Sequence, residues 1–265
     1  MRQCRIREGA PVSDFAPEVG VAVDKIRRGD WFFHVNRYGR IHTNIANLKR
    51  ELRPYLFVEG QPLVNVDIAN SQPLLVGITA AQDGDAGDGD AGQGKEGSQA
   101  QGGMGQGWNL YVGRGPPKGV VLAIGSQDLR RYLGLCEAGS LYRYVAKHLS
   151  DRLEYGTLKQ RVLTCLYDKD SHRNAVYRVL EGHFPAVLGF ARQVKRADYR
   201  QLAQLAQRAE SRFMYSQVVP RLMRERPSMF VATIHDSVLV PRGNEEYVRE
   251  VMASEFRRLG VCLQR

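Results

Sequence analysis

The chain is poor in cysteine, and no two of its cysteines stand close together. Cys4, Cys136, Cys165 and Cys262 are the only four. A zinc knuckle or redox pair needs C-x-x-C spacing, and a disulfide framework needs a denser set, so neither is indicated. Long hydrophobic runs are missing too. The longest, Val120 to Ile124, falls far short of the roughly 20 residues that cross a bilayer. Met1 to Asp14 carries no apolar signal-peptide core. These absences lead to the expectation of a chain in the reducing cytoplasm with no membrane partner.

Acidic charge is also scarce. Lys and Arg number 38 against 28 Asp and Glu, a formal charge of +10. The stretch from Asp83 to Glu96 holds five of those acids and one lysine, so the remainder carries +14. Such a surplus suits an anionic partner, nucleic acid first, although a merely soluble basic protein has the same balance. The 265 residues, 43% hydrophobic and 25% charged, suffice for a substantial core.

Residues 82–107 read QDGDAGDGDAGQGKEGSQAQGGMGQG. They offer too little apolar surface to offset their ordering entropy, and are expected to be a disordered insertion. The expected divisions are 1–81, the insertion 82–107, a helical region 108–200, and 201–265. Trp31 to Thr43 alternates as two strands around Tyr38-Gly39. Leu63 to Ile68 reads as a short β-branched strand ending at Asp67, followed by a helix after Pro73. Apolar residues at three- and four-residue steps predict helices over Asp128 to Leu149, Leu158 to Tyr167, Ala175 to Lys195 and Leu202 to Met223. FVATI and VLV predict a hairpin around His235-Asp236-Ser237, and Asn244 an N-cap for a last helix. The expected fold class is α+β, a small antiparallel sheet backed by helices.

Asp67 at a strand end and Asp236 in a turn are the two acids that stand out. Carboxylates on neighbouring strand ends can share divalent ions. Two such ions about 4 Å apart activate a hydroxyl and stabilise a leaving pyrophosphate. An Asp in a hairpin turn is usually turn chemistry. Lys159, Leu163 and Tyr167 recur four residues apart, so one helix face presents a cation and an aromatic, with Arg152 and Arg161 nearby. That stripe could hold a triphosphate and a base, or be a plain amphipathic face. Arg37, Arg40, Lys49, Arg50 and Arg53, interleaved with Tyr38, His42 and Tyr55, suit a nucleic-acid backbone or a solvated basic surface. Gln207, Glu210 and Ser211 are polar among apolar neighbours.

Taken in order, these segments resemble the single-subunit polymerase superfamily, the family A DNA polymerases and phage-type RNA polymerases. YGRIHT through Asn47-Leu48 is similar to T-G-R-L-S-S…N-L-Q, and LVNVDIANSQPLL to motif A. CEAGSLYRYVA resembles the fingers segment E-G-x-D-I-H-x-x-T-A, and KQRVLTCLYD motif B. Phe184-Pro185-Ala186-Val187 is similar to R-Y-P-G-V, Ala206-Gln207 to the M-Q-G-T-A-A helix, and TIHDSVLV to motif C. The likeness runs from Arg37 to Phe256 apart from the insertion. NSQP also resembles small polymerase-like proteins of mobile elements and phages.

The resemblance implies a polymerase-type palm with a reduced helical fingers region, performing DNA-polymerase-like nucleotidyl transfer on a primer-template of DNA or RNA. It implies Mg²⁺ or Mn²⁺ on Asp67 and Asp236. Nucleoside triphosphate would lie on Lys159, Tyr167, Arg152 and Gln72, and nucleic acid on Arg37, Arg40, His42, Asn47, Gln207 and His235. Departures fall where the family grips and selects nucleotides: Gln72 for a glutamate, Tyr142 for the fingers histidine, Tyr155 for an arginine, with Leu163, Asp168 and Ser237. About 36 residues precede the first motif, too few for a thumb. A non-catalytic nucleic-acid-binding palm remnant, or one part of a split enzyme whose partner supplies the thumb, fits the same residues.

Overall fold

The computed structural model describes residues 3–83, 126–169 and 174–259. In chain order the elements are β1 (Cys4–Ile6), α1 (Pro17–Arg28), β2 (Phe33–Val35), β3 (Ile41–Thr43), α2 (Asn44–Asn47), β4 (Leu56–Val58) and β5 (Gln61–Val66). Then come α3 (Ser71–Asp83), α4 (Gln127–Glu137), α5 (Leu141–Lys147), α6 (Tyr155–Tyr167), α7 (Ala175–His183), α8 (Pro185–Lys195) and α9 (Gln201–Phe213). The last are α10 (Val219–Glu225), β6 (Ala232–Ile234), β7 (Ser237–Pro241) and α11 (Glu245–Arg258). The fold is a mixture of helices and antiparallel sheet, consistent with α+β. No described helix is long and apolar enough to cross a membrane.

The chain divides into two compact units. The first joins residues 1–69 to 207–255, and the second holds 70–206 with 256–265. The first segment of the first unit ends at Ala69. The reason is α3, which is buried at nearly every position from Ser71 to Ala80 and packs on α4, α6 and α8. A helix apolar all round has to be enclosed by its neighbours. From residue 84 onward the expected insertion lies outside the described residues.

In the first unit an antiparallel sheet runs β1-β4-β5-β7-β6, and β2-β3 form a separate ribbon. Strand β7, paired on both sides, opens with SVLV, and Ser237, Val238, Leu239 and Val240 are all buried, so both of its faces are covered. Leu56, Val58, Leu63, Ala232, Ile234 and Leu239 turn one sheet face toward Val23 and Ile26 of α1 and Ile45 of α2, forming the core.

The second unit is helical. Tyr132 of α4 is fully buried, donates its hydroxyl to the Pro73 carbonyl (3.1 Å) and meets Phe184 edge-on, with centroids 5.3 Å apart. Gly77 admits this packing. A Cβ there would sit 2.8 Å from Leu133 Cδ2 and 3.0 Å from the Tyr132 ring. Buried Lys195 donates to the carbonyls of Asp168 (2.9 Å) and Cys165 (3.4 Å), neutralising acceptors left open at the end of α6.

Several expected helices are interrupted, each for a local reason. Asp128 to Leu149 splits at Ala138-Gly139-Ser140, where Gly139 takes the left-handed φ of +61° that ends a helix cheaply. Ala175 to Lys195 breaks at Phe184, because Pro185 opens α8 and cannot continue α7. Between α9 and α10 the turn widens to a π-helix over Met214–Val218, just ahead of Pro220, which lacks an N–H. Pro73 lies inside the first turn of α3 instead of preceding it, a place where no N–H is needed. Asn244 stands at the N-cap position of α11, its carbonyl accepting the Val248 N–H at 3.0 Å, but its side chain bonds outside the helix. Its amide donates to the Pro241 carbonyl and accepts from Arg226.

Candidate functional site

In the first unit the carboxylates sit at one end of two neighbouring strands. β5 pairs with β7 in the register Leu63↔Pro241, Val64↔Val240, Asn65↔Leu239 and Val66↔Val238. One step further, Asp67 comes opposite Ser237, the residue after Asp236. β6 and β7 close with Ile234 opposite Ser237, so His235-Asp236 is a two-residue turn. His235 has a left-handed φ of +55°, which costs a non-glycine residue about 1–3 kcal/mol. The buried Ser237 hydroxyl, donating to the Ile234 carbonyl at 2.9 Å, helps hold that turn. Asp67 is exposed and Asp236 half-buried. Asp67 Oδ1 accepts from the Ile68 N–H at 2.9 Å, orienting the carboxylate.

Two carboxylates held by paired strands offer hard oxygen donors, the set that Mg²⁺ or Mn²⁺ takes when substrate and water supply the remainder. No group of three or more His, Cys, Asp or Glu able to hold a metal occurs among the described residues.

Beside the turn stands His235, half-buried, with its ring 6.3 Å from that of His42, edge to face. Its Nδ1 is buried with no hydrogen-bond partner. Desolvation, together with the Arg40, His42 and Arg53 cations and ring, holds the imidazole below its ordinary range, against the opposing pull of Asp236. His42 is fixed through Asn36. The Asn36 Oδ1 accepts from the Tyr38 and Arg40 N–H groups (2.9 and 3.0 Å), so its Nδ2 is the donor facing His42 Nε2 at 3.4 Å.

Arg40 occupies the same unit in a different role from a free backbone contact. Its Nε and Nη2 donate to the two carboxylate oxygens of Glu210 at 3.0 and 2.9 Å. Glu210 is only 2% exposed, and a planar guanidinium satisfies both its oxygens at once. Gly39, at φ +82°, carries the chain past Ser211, whose Cβ would lie 3.2 Å from any Cβ at position 39. Arg37 is exposed and stacks on Tyr38 at 4.7 Å, and Arg208 stands 5.7 Å from the same ring. Asn47 is exposed and Gln207 half-buried. Arg53 donates to the carbonyls of Leu48 and Ala46, serving the backbone.

In the second unit α6 carries the predicted cation–aromatic stripe. Gly156, Lys159, Gln160, Leu163, Thr164, Tyr167 and Asp168 line an open groove of about 480 Å³. The helix starts at Tyr155, earlier than its apolar period suggests, because Glu154 accepts the Thr157 N–H at 3.0 Å as an N-cap. Lys159 is exposed. At the other end the Tyr167 hydroxyl lies 3.0 Å from Gln72 Oε1 and 3.3 Å from the Gln72 carbonyl. Tyr167 and Gln72 are thus brought together. Arg152 is exposed on the segment before α6. Tyr142 is 3% exposed and packs edge-on against Tyr155, with centroids 5.9 Å apart. Burial pushes its phenol up.

Sequence reasoning missed the Arg40–Glu210 pair and the bond of 3.1 Å between the Tyr215 and Thr233 hydroxyls. The one signal for the first was an acid amid the apolar positions of α9. Comparison with protein-family models, curated proteins and solved structures finds no match.

Proposed function

We propose that the chain is a nucleotidyl transferase with a polymerase-type palm, extending a nucleic-acid primer on a template. The observation that supports this most is the pairing of β5 with β7, which brings Asp67 and Asp236 to the same end of adjacent strands. Asp67 and Asp236 would hold magnesium or manganese, which would supply activation of the primer hydroxyl and neutralisation of the departing pyrophosphate. The 3′-hydroxyl oxygen loses its proton to water and bonds to the α-phosphorus of the nucleotide, and the bond to pyrophosphate breaks, releasing it. Lys159 offers a point charge for the triphosphate, and the Tyr167 ring a surface for the base. Arg37, Arg40, His42, Asn47, Gln207 and His235 are assigned to the nucleic acid, the Arg40 guanidinium being braced by Glu210.

The experiment is primer extension with dNTPs and rNTPs in Mg²⁺ or Mn²⁺. Asp67→Asn and Asp236→Asn each remove incorporation by at least about a hundredfold, equivalent to about 2.7 kcal/mol of transition-state stabilisation. Lys159→Ala raises the nucleotide KM more than it lowers kcat. Incorporation that survives both Asn changes would sink the mechanism.

A second reading, a nucleic-acid-binding palm remnant without catalysis, is favoured by one observation. Tyr142, which stands where the resemblance has a fingers histidine, is buried against Tyr155 and cannot reach a nucleotide from that position. Nucleic-acid binding with no incorporation from any nucleotide selects this reading.

A further inference from the structure

We infer that His148 and His183, in the helical unit, form a two-imidazole binding site for a transition-metal dication of the Zn²⁺ class. His148 follows the end of α5 and His183 ends α7, and their ring centroids lie 4.4 Å apart. One residue orients both. The His148 Nδ1 is 2.9 Å from the Tyr144 carbonyl oxygen. A carbonyl only accepts, so Nδ1 carries the hydrogen and the Nε2 lone pair remains for a ligand. The His183 Nδ1 is 3.0 Å from the Tyr144 hydroxyl, which can accept in the same way and leave the second Nε2 bare.

Metal-binding histidines commonly donate the other ring N–H to a backbone or side-chain oxygen, which sets tautomer and ring orientation. Here a single tyrosine offers an oxygen to each of the two rings, its carbonyl to His148 and its hydroxyl to His183. With centroids 4.4 Å apart, a small side-chain adjustment suffices to bring both imidazoles onto one ion at the ~2.0 Å of a Zn–N bond. Arg131 lies over the Tyr144 ring at 4.8 Å. It is the charged neighbour that opposes a dication here.

Imidazole donors suit Zn²⁺, Ni²⁺ and Cu²⁺ in preference to Mg²⁺ or Mn²⁺. The site is therefore chemically separate from the paired aspartates, and it stands or falls independently of the proposed transfer reaction. His148 is exposed, so water can complete the coordination. A bound ion would tie the end of α5 to the end of α7.

The test is calorimetric titration of the untagged full chain with ZnCl₂, with MgCl₂ as control. One Zn²⁺ is expected per chain at this site. His148→Ala and His183→Ala each weaken binding at least about tenfold, and Tyr144→Phe, which keeps the carbonyl but loses the phenol oxygen, does so by roughly tenfold. Asp67→Asn leaves the affinity unchanged. Because His148 is exposed, His148→Ala decides the matter even if His183→Ala fails to fold. Zn²⁺ bound equally well by His148→Ala, or no Zn²⁺ bound at millimolar concentration, overturns the inference.

Discussion

Arg40 shows how one residue's chemistry depends on what folds beside it. In the sequence it is one member of a basic cluster, equally suited to a phosphate or to solvent. In the fold both of its carboxylate contacts go to Glu210, an acid almost without solvent. Truncating one member of such a pair leaves a buried charge uncompensated. Arg40→Ala is therefore expected to lower unfolding free energy by about 3–5 kcal/mol, read as a fall in the urea midpoint. Replacing Arg40 and Glu210 together by Leu should recover most of it. A loss under about 1 kcal/mol would place this pair with exposed ion pairs. The two imidazoles at Tyr144 make the same point. His148 and His183 are 35 residues apart, and only the packing of α5 against α7 brings them together.

At the scale of elements, α3 carries the most information. Its apolar run and Pro73 mark a helix in sequence, but they do not say which neighbours enclose it. Gly77 is the position that admits α4, with Tyr132 and Leu133 close by. Alanine there gains about 1 kcal/mol of helix propensity but forces a methyl against a fully buried ring, an overpacking cost of about 1–3 kcal/mol. Gly77→Ala should lower the Tm by circular dichroism. A raised Tm would mean that α4 yields without cost. The split helices follow a related rule: periodicity locates apolar faces, while Gly139 and Pro185 set where each helix stops.

For the whole molecule the relevant quantity is charge. A chain with net +10 that contacts phosphates releases counterions on binding. Neutralising about four duplex phosphates gives roughly a hundredfold loss of affinity between 50 and 200 mM salt. Fluorescence anisotropy with primer-template across that range should show the fall. A flat response would remove the phosphate backbone as the partner.

The strand ending before Asp67, the turn holding Asp236 and the Lys159–Leu163–Tyr167 face were legible in sequence because each depends on local periodicity. Side chains alternate every two residues in a strand and recur every three or four in a helix, whatever lies beyond. The pairing of β5 with β7, separated by more than 170 residues, was decided only by tertiary structure. So were the Glu210 brace on Arg40, the bond from Tyr167 to Gln72 and the Tyr144-centred imidazoles. Each joins residues whose contact depends on burial of distant apolar faces, and no local pattern encodes which faces meet.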